Sequence, residues 1–223
     1  MNDLILTPLG LRAANKVFPC VIGKNGISNL KREGDGKTPS GEHQIVGMLY
    51  RPDRISRPRK WALPIRPRDI WSDDIKDPNY NLMGTLPSSF RHEKLFRSDH
   101  LYDLVIITNW NWPYAVKGRG SAIFIHIWAK QVHPTEGCIG LSKDNLLRVA
   151  KFINFGTRLI VPETLHAHQR WPSRHEYGLP PAQQPSHNRP TYPSKAKKGQ
   201  GSSPFFSKAR NTAPPVHLLA EYT

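Results

Sequence analysis

A histidine and a glycine-flanked cysteine stand twelve residues apart in the middle of this chain, at His126 and Cys138. A thiolate is a strong nucleophile, and an imidazole that takes its proton is a common way of making one. In Gly120-Ser121-Ala122-Ile123-Phe124-Ile125-His126, isoleucines alternate with other residues. Read as a strand, this stretch turns Ile123, Ile125 and Ile127 to a core and His126 to the opposite face, where it can serve an open site. Cys138 follows in His133-Pro134-Thr135-Glu136-Gly137-Cys138-Ile139-Gly140-Leu141. That segment is rich in turn formers, and its glycines let bare backbone N–H groups approach a substrate oxygen. The pattern points to acyl chemistry. On this reading Cys138 would attack a carbonyl, His126 would handle the proton, backbone donors from Gly137 to Ile139 would stabilise the oxyanion, and Thr135 would orient the loop.

Other readings of the same residues differ in what they require. A small buried cysteine and a satisfied core histidine would carry no chemistry. His133 is a competing base, but it precedes Pro134 in an irregular segment, so periodicity gives it no direction. A zinc hydrolase built on His126, His133 and Cys138 would need an open ligand position and an outer shell of orienting groups. The thiol reading needs no metal and no cofactor.

At these residues the sequence resembles the L,D-transpeptidase catalytic domain, the YkuD-like family, in which a strand histidine is followed by a Ser/Thr-x-Gly-Cys segment. Thr135-Glu136-Gly137-Cys138 matches that segment. The resemblance extends upstream through Lys31–Gly41, which ends in Thr38-Pro39-Ser40-Gly41, and through Tyr50–Arg54, Tyr80-Asn81, His92-Glu93 and Leu101-Tyr102-Asp103. Several separated motifs in order make chance a poor explanation. The resemblance implies a cysteine acyltransferase that acts on peptidoglycan stem peptides, cross-links the cell wall, and is acylated by carbapenem-type β-lactams. It also implies the L,D stereochemistry and a location in the periplasm or cell envelope. Glu136 and Gly140 stand where many relatives carry a histidine and an arginine. Glu136 is expected to face a neighbouring cation or backbone donors, because a carboxylate beside the sulfur would oppose thiolate formation. With water as acceptor the same thiol would make a carboxypeptidase or amidase, and without a working thiol the domain would be a wall-binding module.

The chain has 223 residues and a net charge of +15, and that charge is not confined to its C-terminal part. Arg51, Arg54, Arg57, Arg59, Lys60, Arg66 and Arg68 form the densest run, and the prolines among them exclude a continuous helix. A basic loop or arm of this kind suits an anionic wall polymer, or simply solvent. There is no RNA-binding aromatic–glycine motif, zinc-finger spacing or recognition-helix pattern, so specific nucleic-acid binding is not expected. Trp110 and Trp112 fit either a substrate groove or core packing. Cys20, in an apolar run, reads as a buried free thiol. No apolar run is long enough to span a bilayer. The first residues lack the cationic start and apolar core of a secretory signal, so a cytoplasmic location stays open.

The elements that must position the pair are mostly strands. Leu4–Leu6, Val17–Ile22, Ile45–Tyr50, Leu104–Thr108 and Ala122–Trp128 read as strands, with Lys24-Asn25-Gly26 as a hairpin turn. Ser142 is placed to cap a helix carrying Leu146, Leu147, Ala150 and Ile153, and Arg158–Val161 returns as a strand. The expected fold is mainly β, a YkuD-like sandwich or half-barrel with one helix after the active-site cysteine. Residues 1–163 would form the catalytic domain. Residues 164–223, rich in Pro, Ser and Lys, would be a disordered basic tail.

Overall fold

A computed structural model describes residues 3–131 and 133–167, so nearly all of the expected tail lies outside the described residues. The chain opens with β1 (Leu4–Thr7), β2 (Gly10–Ala13), β3 (Lys16–Phe18) and β4 (Cys20–Val21). The run Val17–Ile22 is therefore two strands, because Pro19 has no N–H to give a ladder and turns the chain between them. The strands β5 (Ile27–Ser28), β6 (Thr38–Pro39), β7 (Gly41–Tyr50) and β8 (Leu63–Pro64) follow, then β9 (Asp69–Ser72), β10 (Met83–Thr85) and β11 (His92–Lys94). The last part holds β12 (Leu104–Thr108), β13 (Phe124–Ile127), β14 (Ile139–Leu141), the helix α1 (Lys143–Ala150), β15 (Arg158–Val161) and a 3-10 turn at Glu163–Ala167.

One ten-stranded sheet runs in the order β3-β2-β1-β15-β7-β12-β13-β14-β4, with β8 paired to β7. Its two edge strands, β3 and β4, have only Pro19 between them in sequence. The sheet therefore curls until its edges nearly meet, and the fold is mainly β with an almost closed barrel. Leu4, Leu11, Ile106, Ile125, Ile139 and Leu159 belong to one buried cluster inside it, which Leu146, Val149 and Ala150 of α1 join. Each large aliphatic side chain so buried contributes about 1.5–3 kcal/mol. Helix α1 starts where its cap does: the Ser142 side chain accepts from the Asn145 N–H at 3.3 Å, and Asp144 sits in the first turn.

Alternation sends the other residues of β7, β12 and β13 outward. Val46, Leu49, Val105, Ile107 and Phe124 form a second cluster with Trp71, Leu95 and Tyr102. The small sheet β10-β9-β11 carries Trp71 and covers this outer face. Lys24-Asn25-Gly26 does make a turn, with the Gly26 N–H donating to Gly23 O at 2.9 Å, but no hairpin forms. The flanking strands look elsewhere: β4 pairs with β14, and β5 lies parallel to β6.

The basic run is a loop, as expected, but several of its cations are structural. The Arg51 guanidinium stacks 3.6 Å above the Phe96 ring and binds Asp53 at 2.7 Å. Arg54 donates to Asp103 at 2.8 Å, and Lys143 of α1 reaches the same carboxylate at 3.2 Å. Burial alone would raise the Asp103 pKa, but the Arg54, His100 and Lys143 donors outweigh it and hold the carboxyl below its usual value.

Asn81 ties the covering layer to the barrel. Its Oδ1 accepts from Trp71 Nε1 at 3.0 Å and from the Ala122 N–H at 2.9 Å. Its Nδ2 donates to the carbonyls of Trp110 at 3.1 Å and Asn111 at 2.7 Å. A buried amide with both ends satisfied is costly to remove, because the partners it leaves behind stay dry and unpaired. Asn81→Ala is expected to lower the unfolding free energy by about 2–4 kcal/mol in chemical denaturation.

Candidate active site

The cysteine loop is held from two sides. On one side Thr135 bridges to Gly23, its N–H donating to Ile22 O at 2.9 Å and its carbonyl accepting from the Lys24 N–H at 2.8 Å. Its hydroxyl then spans the loop, donating to Cys138 O at 2.6 Å and accepting from the Gly137 N–H at 3.1 Å. On the other side the buried Thr38 hydroxyl donates to Gly137 O at 2.8 Å and accepts from the Gly23 N–H at 2.9 Å. Gly137 has φ of 145°, and a Cβ there would lie 2.8 Å from Lys37 O, so no other residue fits the turn.

Strand pairing then sets the sulfur. β13 and β14 run parallel with Ile125 opposite Ile139 and His126 opposite Gly140. Ile125 and Ile139 face the barrel interior, so His126 and Cys138 share the outer face with Phe124. Cys138 is half-buried; its thiol donates to Ala122 O at 3.0 Å, and its sulfur accepts from the Phe124 N–H at 3.4 Å. His126 is buried, and Gly140 opposite it contributes no side chain. Its Nδ1 lies 2.8 Å from Ile127 O. A carbonyl only accepts, so Nδ1 carries the proton and Nε2 keeps the lone pair.

The structure thus brings the sequence-predicted pair to one face but does not join them by a hydrogen bond. Burial favours the neutral form of both groups. Burial pushes the His126 pKa down to about 4 and the Cys138 pKa up to about 12, the latter opposed by the Phe124 N–H and the Lys31 charge. No hydrogen bond between the two groups supports a resting thiolate–imidazolium pair, the usual route to a reactive cysteine. The Gly137 N–H is also committed to Thr135, and the parallel register places Ile139 in the ladder with β13.

Three residues beside the pair carried no role in the sequence reading. The Tyr102 ring stands edge-on to His126 with centroids 5.3 Å apart, and its hydroxyl donates to Glu93. Burial raises the pKa of both Tyr102 and Glu93, so the phenol keeps its proton beside the site. Lys31, its side chain only 3% exposed, runs beneath the loop and ends on Asp35 at 2.5 Å and on Arg32 O at 2.7 Å. All three fall within stretches that resemble the family, yet no periodicity or spacing singles them out.

The remaining candidates separate clearly. His133 is exposed in its loop, and among the described residues no group of three or more His, Cys, Asp or Glu side chains is arranged to hold a metal ion. Glu136 forms an exposed ion pair with Lys24 at 2.8 Å. Cys20 is buried and free, with a pKa that burial raises to about 12.

Residues 12–161 match the family model of the L,D-transpeptidase catalytic domain, YkuD. The chain belongs to this family. Two solved structures are similar to it at low identity. An L,D-transpeptidase from Mycobacterium smegmatis is 14% identical with a TM-score of 0.34, over 72% of this chain and 59% of that one. The L,D-transpeptidase LdtMt1, solved in complex with imipenem, is 15% identical with a TM-score of 0.35, over 72% and 59% of the two chains. This chain therefore spans 59% of the length of either neighbour. No curated protein matches it significantly. No helix among the described residues is long and apolar enough to cross a membrane.

Two outcomes follow from this family site as built. Thr38→Val would leave the Gly23 N–H and Gly137 carbonyl without their shared partner. It is expected to cost about 1–3 kcal/mol in denaturant unfolding. A thiol that rests protonated also has a definite pH signature with a small electrophile such as iodoacetamide. The Cys138 alkylation rate should keep rising with pH past the ordinary cysteine value of about 8.5, and a plateau near neutrality would show a resting thiolate instead.

Proposed function

We propose that this protein is a cysteine acyltransferase that forms a thioester on Cys138 with a peptidoglycan stem peptide and passes the acyl group to an amine of a second stem, an L,D-transpeptidase that cross-links the cell wall. The observation that carries this reading is the braced glycine loop, which holds a half-buried thiol on the same sheet face as a histidine whose Nε2 is a free base. Family membership supplies the substrate class and the stereochemistry.

Because burial favours the neutral thiol and imidazole, separating charge before substrate arrives is unfavourable. In the proposed step the S–H proton passes to His126 Nε2 as sulfur bonds to the donor carbonyl. The carbonyl oxygen becomes an oxyanion received by the backbone N–H of Cys138, such a donor being worth about 3 kcal/mol in comparable sites. His126 then gives the proton to the departing amine of the terminal amino acid, leaving a thioester and a neutral imidazole. The acceptor amine attacks that thioester, His126 takes its proton, and the new amide leaves as the proton returns to the sulfur. Thr135 holds the loop throughout, and Tyr102, anchored on Glu93, fixes the plane of the His126 ring. The reaction belongs where wall is assembled, in the cell envelope.

A carbapenem-type β-lactam presents a strained amide that a thiol opens to a stable acyl adduct, so the intact-protein mass should rise by one drug equivalent, mapped to Cys138. His126→Ala should slow that acylation by about a hundredfold or more, the usual scale of general-base catalysis, while His133→Ala leaves it near the native rate. An adduct on Cys20, or a larger loss from His133→Ala in folded protein, would overturn the assignment. Product analysis with a stem-peptide donor, with and without an amine acceptor, separates transfer from hydrolysis.

A further inference from the structure

Beyond the end of β12, the loop from Asn109 to Arg119 and the start of β7 enclose an open cleft of about 450 Å³. That volume is within the range of small-ligand sites. Its lining combines Trp110, Trp112 and Tyr114 with Glu42, Asn109 and Arg119.

The aromatic side chains are presented by a loop that is stiffened from within. Asn111 closes it, with Nδ2 donating to Val116 O at 3.0 Å and Gly120 O at 2.9 Å, and Oδ1 accepting from the Val116 N–H at 2.8 Å. Asn109 fixes its base by accepting from the Gln44 N–H at 2.8 Å, and the amide of Asn81 holds the Trp110 and Asn111 carbonyls. This bracing leaves Tyr114 86% exposed. A large aromatic held open to water on a cross-braced loop is preorganised for a partner, since the ordering cost has already been met within the fold. The Arg119 guanidinium stacks 5.0 Å over the Trp110 ring, and His43 meets that ring edge-on at 5.7 Å.

We propose that this cleft is a saccharide subsite that takes the amino-sugar strand from which the stem peptides hang, an inference that rests on the wall-polymer reading above. A pyranose ring offers an apolar C–H face to an aromatic ring and hydroxyl and acetamido groups around its edge. Trp112 and Tyr114 supply the faces, while Glu42 and Asn109 supply acceptors and donors at the rim. Glu42, with the Arg158 guanidinium 3.5 Å from its carboxylate, still accepts from sugar hydroxyls, and single-stranded nucleic acid, which would suit aromatic rings beside an arginine, is the rival occupant that the test separates. The cleft is linked to the thiol through the chain. Its loop leads through Gly120 and Ser121 to Ala122, whose carbonyl receives the Cys138 thiol, and Trp112 packs on the same apolar cluster as Cys138. A strand seated here would deliver its stem peptide to the sulfur from one fixed side.

The test titrates a β-1,4-linked N-acetylglucosamine tetramer, which has no stem peptide, into the full chain carrying Cys138→Ala, read by tryptophan fluorescence and calorimetry. Saturable binding is expected, weakened about tenfold by Tyr114→Ala, the size of one aromatic stacking contact, and restored by Tyr114→Phe. Because Tyr114 is exposed, neither variant threatens folding. Absence of tetramer binding, or equal binding by Tyr114→Ala, overturns the subsite, as does tighter binding of an oligothymidine of similar length. β-Lactam acylation of the native protein is measured separately. If Cys138 is acylated and no tetramer binds, the saccharide inference alone fails; if tetramer binds and Cys138 cannot be acylated, the subsite stands and the transpeptidase reading fails.

Discussion

A single buried hydroxyl, that of Thr38, links the N-terminal part of the chain to the cysteine loop by accepting from Gly23 and donating to Gly137. The shape of the cysteine loop depends on that crossing. Thr38 can reach both partners only because Gly137 has no Cβ and comes to rest against the Lys37 carbonyl. Thr135 completes the arrangement by bridging to Gly23 and spanning the loop to the Cys138 carbonyl. Two threonines and two glycines thus form a small polar lattice in which each hydroxyl both gives and accepts. In a dry setting such a lattice is strong when complete and costly when one member is missing.

The surroundings of the sulfur favour uncharged groups. Burial acts on Cys138, His126, Tyr102 and Glu93 in the directions that suppress ionisation. The nearest cation, Lys31, is already satisfied by Asp35 and Arg32 O. Such surroundings favour the neutral thiol, which is a weak nucleophile toward solvent-borne electrophiles. In the proposed mechanism the proton moves only with bond formation, so that misplaced carbonyls meet a thiol and not a thiolate.

The sequence shows the parts of this arrangement that repeat locally. The isoleucine alternation up to His126 placed the histidine on the outer face, and Ser142 with its apolar spacing marked α1. What stayed hidden depends on contacts between distant residues. The strand expected at Val17–Ile22 breaks at Pro19, where one sheet edge hands over to the other, and the turn at Gly26 has no hairpin because the partner of β4 lies far down the chain in β14. All four residues of β9 are buried, so it shows no alternation to read. Glu93 and Tyr102 are ordinary residue types whose meaning comes from facing each other across a turn of chain. The basic run looked like surface, yet Arg51 and Arg54 are spent on Phe96, Asp53 and Asp103.

The seam of the barrel has a consequence for how the protein comes into being. β1, β2 and β3 pair locally, but the other neighbour of β1 is β15 and β4 lies beside β14, so these two pairings form only when the last strands have emerged. Pairings this distant make for slow, late closure. The Gly23 and Thr38 contacts that shape the cysteine loop belong to that same early segment. Until the ring of strands shuts, Cys138 lacks the braces of its loop. The setting of the thiol is completed by the final act of folding.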